Sequence, residues 1–317
     1  MNKAILIMGP TASGKTNLVL DLSKYFPIEI ISVDSGLIYR DMNIGTAKPD
    51  LDDLERVKHH LVNIISPLES YSLANFINDT SILINEINDR KKIPVLVGGT
   101  MMYFNSFIHG ISKLPLSNLE IRNKINNKII AHGLSSVYEE LKQIDYISST
   151  KININDKQRI VRAIEVYYLT GKSISELQRN NKILPTENLN LLNFAIVPDD
   201  RTILHQRINT RFTQMLNQGL IEEVVSLLQK YPQLTIDNTS MRSVGYFQVL
   251  NFINNLINYD ELLFSGMAAT RQLAKRQLTW LRKFNTIDNL NIFATLDYEL
   301  ILKSLIDKIS IWNQKLL

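Results

Sequence analysis

The chain has 317 residues, 45% hydrophobic and 21% charged, with a formal net charge of +4. That is ordinary globular composition, with room for one large domain or two smaller ones, and the small positive balance permits a nucleic-acid partner without arguing for one. The absence of cysteine excludes disulfides, thiolate-bound zinc and thiol nucleophiles.

Residues 4–8, Ala-Ile-Leu-Ile-Met, read as a short buried parallel strand. They are too short for a secretory h-region, and no later run approaches a membrane span, so a cytoplasmic protein without membrane contact is expected. A helix is predicted from about residue 14 to 25, with Leu18, Val19, Leu22 and Phe26 on its apolar side and Pro27 as its stop. Residues 29–33, 94–97 and 193–197 read as further buried strands, and each of the first three strands precedes a polar turn and a helix-like stretch. Strands alternating with helices predict an α/β fold with a parallel sheet. The pattern changes after Gly110. No strand is expected between residues 114 and 190, where Ile160, Ala163, Ile164, Tyr167 and Tyr168 recur at helical spacing. After Pro198 the chain reads as helical almost to its end. Leu273, Gln277, Trp280, Leu281 and Phe284 mark the packed side of one late helix, with Arg276 turned toward it.

The segment Gly9-Pro10-Thr11-Ala12-Ser13-Gly14-Lys15-Thr16 fits Gly-x-x-x-x-Gly-Lys-Thr between a strand and a helix, the context this phosphate-binding motif requires. Backbone N–H groups and the helix N-terminus cradle phosphate oxygens, Lys15 adds a cation, and the Thr16 hydroxyl is a magnesium ligand. Two uses remain open on this motif alone: holding ATP for a kinase or ATPase, or holding a diphosphate that departs in a group transfer. An ordinary NTPase wants an acid at the end of a neighbouring strand. Residues 94–97 run instead into Gly98-Gly99-Thr100, and Asp199-Asp200 follow the fourth strand only after Pro198. Ligands of open parallel sheets bind at the carboxyl ends of the strands, so Asp34-Ser35 and Gly98-Gly99-Thr100 should face the crevice of the loop. There Asp34 reads either as a general base or as a helix cap, and Gly98-Gly99-Thr100 either as a site turn or as a plain one.

The ordered set of motifs resembles a known family. Gly9–Thr16, Ile31-Ser32-Val33-Asp34-Ser35, Tyr39, Asn43-Ile44-Gly45-Thr46-Ala47-Lys48-Pro49 and Leu96-Val97-Gly98-Gly99-Thr100 are similar to the tRNA dimethylallyltransferases (tRNA isopentenyltransferases), bacterial type. The similarity continues in Asn155-Asp156-x-Gln158-Arg159-Ile160-x-Arg162, in Gln206-Arg207-Ile208 with Arg211 and Phe212, in Val244-Gly245-Tyr246, and in residues 271–280. The resemblance implies a P-loop NTPase-like parallel-sheet core, residues 1–112 and 191–317, with a helical insertion domain, 113–190, and a helical C-terminal part. It also implies a channel that admits the prenyl donor at one end and a flipped-out base at the other. The implied reaction moves a dimethylallyl group from dimethylallyl diphosphate to N6 of adenosine 37, beside the tRNA anticodon, with Mg2+ as cofactor.

The roles implied are Asp34 as base, and Lys15, Arg211 and Thr100 on the diphosphate or orienting Asp34. The tRNA contacts implied are Asp34-Ser35-Gly36-Leu37 with Thr100; Gln158-Arg159-Ile160-Val161-Arg162; Arg242-Ser243-Val244-Gly245-Tyr246-Phe247; and Arg271, Lys275 and Arg276. Arg271, Lys275 and Arg282 share one side of a helix, which suits a phosphate backbone but also reads as a solvated face. A monomer is expected. Gly36 departs from the family pattern, where a larger residue is usual, and the zinc finger of eukaryotic members is absent. His59-His60 lacks metal-ligand spacing and reads as structural, and Met101-Met102-Tyr103-Phe104 reads as the start of a packed helix beside the prenyl channel. A small-metabolite kinase and an ATP-gated RNA-binding protein are the alternatives. The basic stripe and the missing acid after Val97 disfavour the first, and Asp34 disfavours the second.

Overall fold

The computed structural model describes residues 2–180, 182–284 and 290–314. In chain order the elements are β1 (Asn2–Met8), α1 (Lys15–Leu22), β2 (Ile28–Val33), α2 (Leu51–Arg56), β3 (His59–His60), α3 (Leu73–Asp89), β4 (Ile93–Gly98), α4 (Met101–His109), β5 (Ile111–Ser112), α5 (Leu119–Ile144), α6 (Tyr146–Ser149), α7 (Lys157–Thr170), α8 (Ile174–Asn180), β6 (Lys182–Ile183), β7 (Leu189–Ile196), α9 (Arg201–Asn217), α10 (Leu220–Lys230), α11 (Tyr246–Ile253), α12 (Tyr259–Lys283), β8 (Leu290–Phe293) and α13 (Tyr298–Gln314). They fall into two compact units, residues 1–106 with 186–317, and residues 107–185. Among the described residues no helix is long and apolar enough to cross a membrane.

The first unit carries a six-stranded sheet in the order β3-β2-β4-β1-β7-β8, with every adjacent pair parallel. Ala4 to Met8 are fully buried, as a central parallel strand beneath helices requires. Register aligns the strand ends. Met8 and Val33 are both level with Gly98, so Gly9, Asp34 and Gly99 leave the sheet at one edge. Gly98 permits this closeness: a Cβ there would lie 2.1 Å from the carbonyl oxygen of Val33. A second apolar cluster packs Ile38, Tyr39 and Met42 against Phe212, Leu220, Val224, Met241 and Tyr246.

The second unit is mainly helical. Helix α5, broken at Gly133, packs on α7 through Ile125, Val137, Leu141, Ile160 and Ile164. Glu165 is fully buried within it, bonded by Arg122 (2.9 and 3.2 Å), Arg162 (2.6 Å) and the Asn118 amide (2.8 Å).

Several sequence expectations change. Residues 34–50 form a long irregular connection before the short α2, where a polar turn and then a helix-like stretch were expected after the second strand. Strand β7 starts at Leu189, four residues before the predicted position, since its half-exposed first residues and its asparagines break the apolar run. Strand β6 falls inside the stretch read as strand-free, where it pairs antiparallel with β5, just before that stretch, in a two-residue ladder. The late region is not helical throughout: β8 adds to the sheet beside β7. Four residues with only Phe293 buried carry too little periodicity to be seen.

His59-His60 form the edge strand β3, and Glu29, 1% exposed, explains one of them. Its carboxylate accepts from His60 Nε2 (2.7 Å), Arg90 Nη2 (2.8 Å) and Lys92 Nζ (3.2 Å). Burial opposes the charge, but the bonds from Arg90, His60 and Lys92 outweigh it and bring the pKa down to about 2. A depressed carboxylate contributes stability above its unfolded pKa, near 4.5, and loses it as pH falls toward 2. Glu29→Gln should therefore lower urea-unfolding stability at pH 7 by about 1–3 kcal/mol, a deficit that shrinks between pH 4.5 and 2.

Candidate functional site

The loop between β1 and α1 is built to receive an anion. Ala12 (φ 62°) and Gly14 (φ 87°) are left-handed, and such alternation turns successive N–H groups inward. The N-cap of α1 is Gly14, with no side-chain cap, so the first-turn amides keep their donors for a ligand. Lys15 folds over the loop. Its Nζ donates to Pro10 O (2.5 Å) and Ser13 Oγ (3.2 Å), and the Ser13 hydroxyl donates to Pro10 O (2.8 Å). Lys15 is buried, and burial pulls its ammonium down to about 7; Asp34 partly offsets this, and Arg211 adds to it. Thr16 is exposed at the start of α1.

Asp34 stands half-buried at the end of β2. Its Oδ1 accepts the Gly36 amide (2.8 Å), and among the described residues its Oδ2 has no hydrogen-bond partner. Thr100 joins the two strand ends: its N–H donates to Val33 O (3.0 Å) and its Oγ1 accepts from Ser35 N (3.0 Å), which leaves the hydroxyl proton free to donate. Arg211, from α9, is lowered by burial and supported by Asp34. Lys15, Asp34 and Arg211 are thus one electrostatic group with two cations and one carboxylate. Gly36 fits tightly. A Cβ there would meet Thr46 Cγ2 at 3.2 Å and Asp34 Oδ1 at 3.3 Å, so the smaller residue gives the aspartate room.

Three further residues join this crevice. On α9, Arg207 Nη1 approaches Gly14 while its Nη2 donates to Leu296 O (3.1 Å). Tyr103 of α4 is pushed up to about 12 by burial, then by Tyr39 and Asp34. Met101, Tyr103 and Phe104 are buried and Met102 is 48% exposed, so α4 begins as a packed helix. Gln277 of α12, read from sequence as a packing position, bonds the loop directly: its Oε1 accepts from Thr11 N (2.8 Å) and its Nε2 donates to Gly99 O (2.9 Å).

The candidate RNA contacts divide. Arg271, Lys275 and Arg282 line one groove of about 340 Å³, together with Gln272 and Thr279 and with Arg201 and His205 of α9; the groove lining contains no carboxylate. Arg271 is anchored by its bond to Asn209 (2.7 Å). Arg276 is exposed and not turned inward, because the buried stripe of α12 is Ala274, Gln277, Leu278 and Leu281 and the 273–276–280 flank lies at its margin. In the helical unit Gln158 and Arg159 are exposed, whereas Ile160 and Val161 are core side chains. Arg162 is engaged by Glu165 and by Pro115 O (2.6 Å), so its guanidinium serves the packing of that unit. Tyr246 is fully buried, and its hydroxyl donates to Glu223 (2.5 Å). That carboxylate also accepts the Asn43, Ile44 and Gly45 amides, which fixes the 43–45 turn. Gly245 is buried beside Tyr246, Ser243, Val244 and Phe247 are half-buried, and Arg242 is exposed with its Nε donating to Ile236 O. Ser35 is exposed, and Leu37 is half-buried.

Residues 37–284 match the IPP transferase family. The chain belongs to this family. It is 50% identical over 293 residues to the tRNA dimethylallyltransferase of Francisella philomiragia, covering 92% of this chain and 94% of that one. A Legionella pneumophila protein of the same name is 48% identical over 283 residues, with 89% and 90% covered. Among solved structures, the tRNA isopentenylpyrophosphate transferase of Bacillus halodurans superposes with a TM-score of 0.69 at 31% identity, covering 98% of this chain and 96% of that one. A eukaryotic dimethylallyltransferase acting on tRNA gives 0.78 at 28% identity, covering 93% and 74%.

The chemistry of the loop in this family member is open to a direct check. Burial that lowers Lys15 to about 7 favours its neutral form at pH 8 in the free protein, and a bound polyanion favours the charged form. Titration of inorganic diphosphate at pH 8 should take up close to one proton more in wild type than in Lys15→Met. Calorimetry in buffers of different ionisation enthalpy reads this difference, and equal uptake would contradict it.

Proposed function

We propose that the protein transfers a dimethylallyl group from dimethylallyl diphosphate to N6 of the adenosine at tRNA position 37, next to the anticodon, and releases diphosphate. The observation that carries this reading is the meeting of an anion cradle with an aspartate whose Oδ2 is unbonded, Asp34, under the influence of Lys15 and Arg211. The names of the relatives, tRNA dimethylallyltransferase and tRNA isopentenylpyrophosphate transferase, support the same activity.

An exocyclic adenine amine is a weak nucleophile, because its lone pair is delocalised into the ring. It needs a base and a good leaving group. In the proposed reaction the N6 nitrogen forms a bond to C1 of the dimethylallyl group, and the C1–O bond breaks with its electron pair going to diphosphate. The N6 proton passes to Asp34 Oδ2. The loop amides, Lys15 and Arg211 stabilise charge developing on the leaving group, the kind of preorganised electrostatics that catalyses such steps. Thr100 donates its free hydroxyl proton to a substrate oxygen while its Oγ1 keeps the Ser35 end of β2 in place. Bases that react in this way must leave their stack, and the carboxylate-free groove of α9 and α12 offers cations to the phosphate backbone.

Magnesium is part of the proposal. Among the described residues no group of three or more His, Asp and Glu could hold a metal, and Thr16 offers one exposed hydroxyl at the loop. That donor set fits an ion carried mainly by diphosphate oxygens and water. Bound there, it would neutralise charge on the departing diphosphate.

Incubation with magnesium, unmodified tRNA and either labelled dimethylallyl diphosphate or labelled ATP tests the reading. Label should move from the prenyl donor to adenosine 37; phosphoryl transfer from ATP without prenyl transfer contradicts it. Asp34→Asn should lower kcat by about 10²–10⁴-fold while leaving tRNA affinity within about threefold. Near-normal turnover would remove Asp34 from the role of base.

A further inference from the structure

Gln277 is a polar residue on the buried stripe of α12, 8% exposed, among Ala274, Leu278 and Leu281. Its side-chain amide is spent at both ends on the two loops that flank the reaction crevice. Oε1 accepts a hydrogen bond from the amide of Thr11, 266 residues away in sequence, and Nε2 donates one to the carbonyl of Gly99. The orientation of the amide is specified by this pair of partners, since reversing it would set N–H against N–H and oxygen against oxygen.

The two anchor points are informative. Pro10 has no N–H, so Thr11 supplies the first donor after it, and Gln277 occupies that donor at the loop's entrance. Gly99 O belongs to the peptide whose nitrogen is Thr100 N, and that nitrogen bonds Val33 O, one residue before Asp34. The side chain of Gln277 therefore spans from the phosphate cradle to the turn that carries Thr100 and braces Asp34. Residue 99 is fitted to this bridge: a Cβ there would lie 2.4 Å from Gln277 Nε2.

We propose that Gln277 is a positioning residue for the transfer reaction, its side-chain amide fixing the separation between the loop that holds the leaving diphosphate and the Gly99–Thr100 turn beside the base. The proposal rests on the prenyl-transfer function proposed for the protein. With both ends of its amide spent on Thr11 and Gly99, Gln277 acts through those two loops. Misplacement of such groups by about 1 Å is enough to cost on the order of a hundredfold in rate.

Two variants test it. Gln277→Met keeps the bulk of the side chain and loses both bonds. It should lower kcat by about 10–100-fold, leave the tRNA dissociation constant within about twofold, and remain folded at the assay temperature. Gln277→Glu reproduces both bonds only while protonated, and when ionised it sets a carboxylate against the Gly99 carbonyl. Its kcat, expressed relative to wild type at the same pH, should be near one at pH 5.5 and fall about tenfold or more by pH 8.5, with thermal midpoints showing both proteins folded across that range. A Gln277→Met kcat within twofold of wild type overturns the proposal, as does a Gln277→Glu ratio that is flat with pH. Wild type run alongside separates the two claims: no prenyl transfer by wild type contradicts the function itself, whereas normal wild-type transfer with unimpaired variants contradicts only the bridge.

Discussion

A buried ammonium sets the terms of the site. Lys15 lies under the phosphate loop with a backbone carbonyl and a serine hydroxyl as its hydrogen-bond partners, and among the described residues no carboxylate is bonded to it. Taking a charge out of water without an opposite partner is costly. Arg211 carries a similar burden, and among the described residues Asp34 is the carboxylate that acts on both. With Lys15 protonated the crevice is short of negative charge, a balance that a bound polyanion would restore. The rest of the unit serves this arrangement: the level ends of β1, β4 and β2, the tight contact of Gly98 with Val33, and the uncapped N-terminus of α1 each bring donors to one place.

Much of that was legible in the sequence because it is local. The loop motif dictates its own conformation through Gly14, and a strand before it and a helix after it complete the signal. Asp34 was legible by the same logic, since in a parallel sheet the residue after each strand faces the ligand. The Gln277 bridge was not. Helical periodicity places Gln277 on an apolar stripe, and nothing within one turn of it reveals partners at Thr11 and Gly99. Strand β8 was missed for a related reason, because an edge strand of four residues acquires its identity from β7, not from its own pattern.

Motif membership also overstated exposure. Tyr246 and Arg162 belong to segments that the family resemblance assigns to tRNA, but one is a core residue bonded to Glu223 and the other neutralises the buried Glu165. Both act by shaping what surrounds them: the turn at 43–45 in one case, the packing of α7 against its own unit in the other. Charge that remains available to a phosphate backbone is concentrated elsewhere, where Arg201, Arg271, Lys275 and Arg282 share a groove without a carboxylate. Basic residues on a helix face become a candidate nucleic-acid surface when a second helix adds to them and no acid intervenes.

In the proposed reaction the cradle of Gly9–Thr16 is matched to a departing diphosphate and not to a nucleotide. Displacement of a labelled, unreactive dimethylallyl thiolodiphosphate from the protein tests it most directly. Inorganic diphosphate should displace the analogue competitively, ATP should do so at least about tenfold less well, and Lys15→Met should weaken analogue binding by about tenfold or more. Displacement by ATP as effective as that by diphosphate, or undiminished binding to Lys15→Met, would contradict the account.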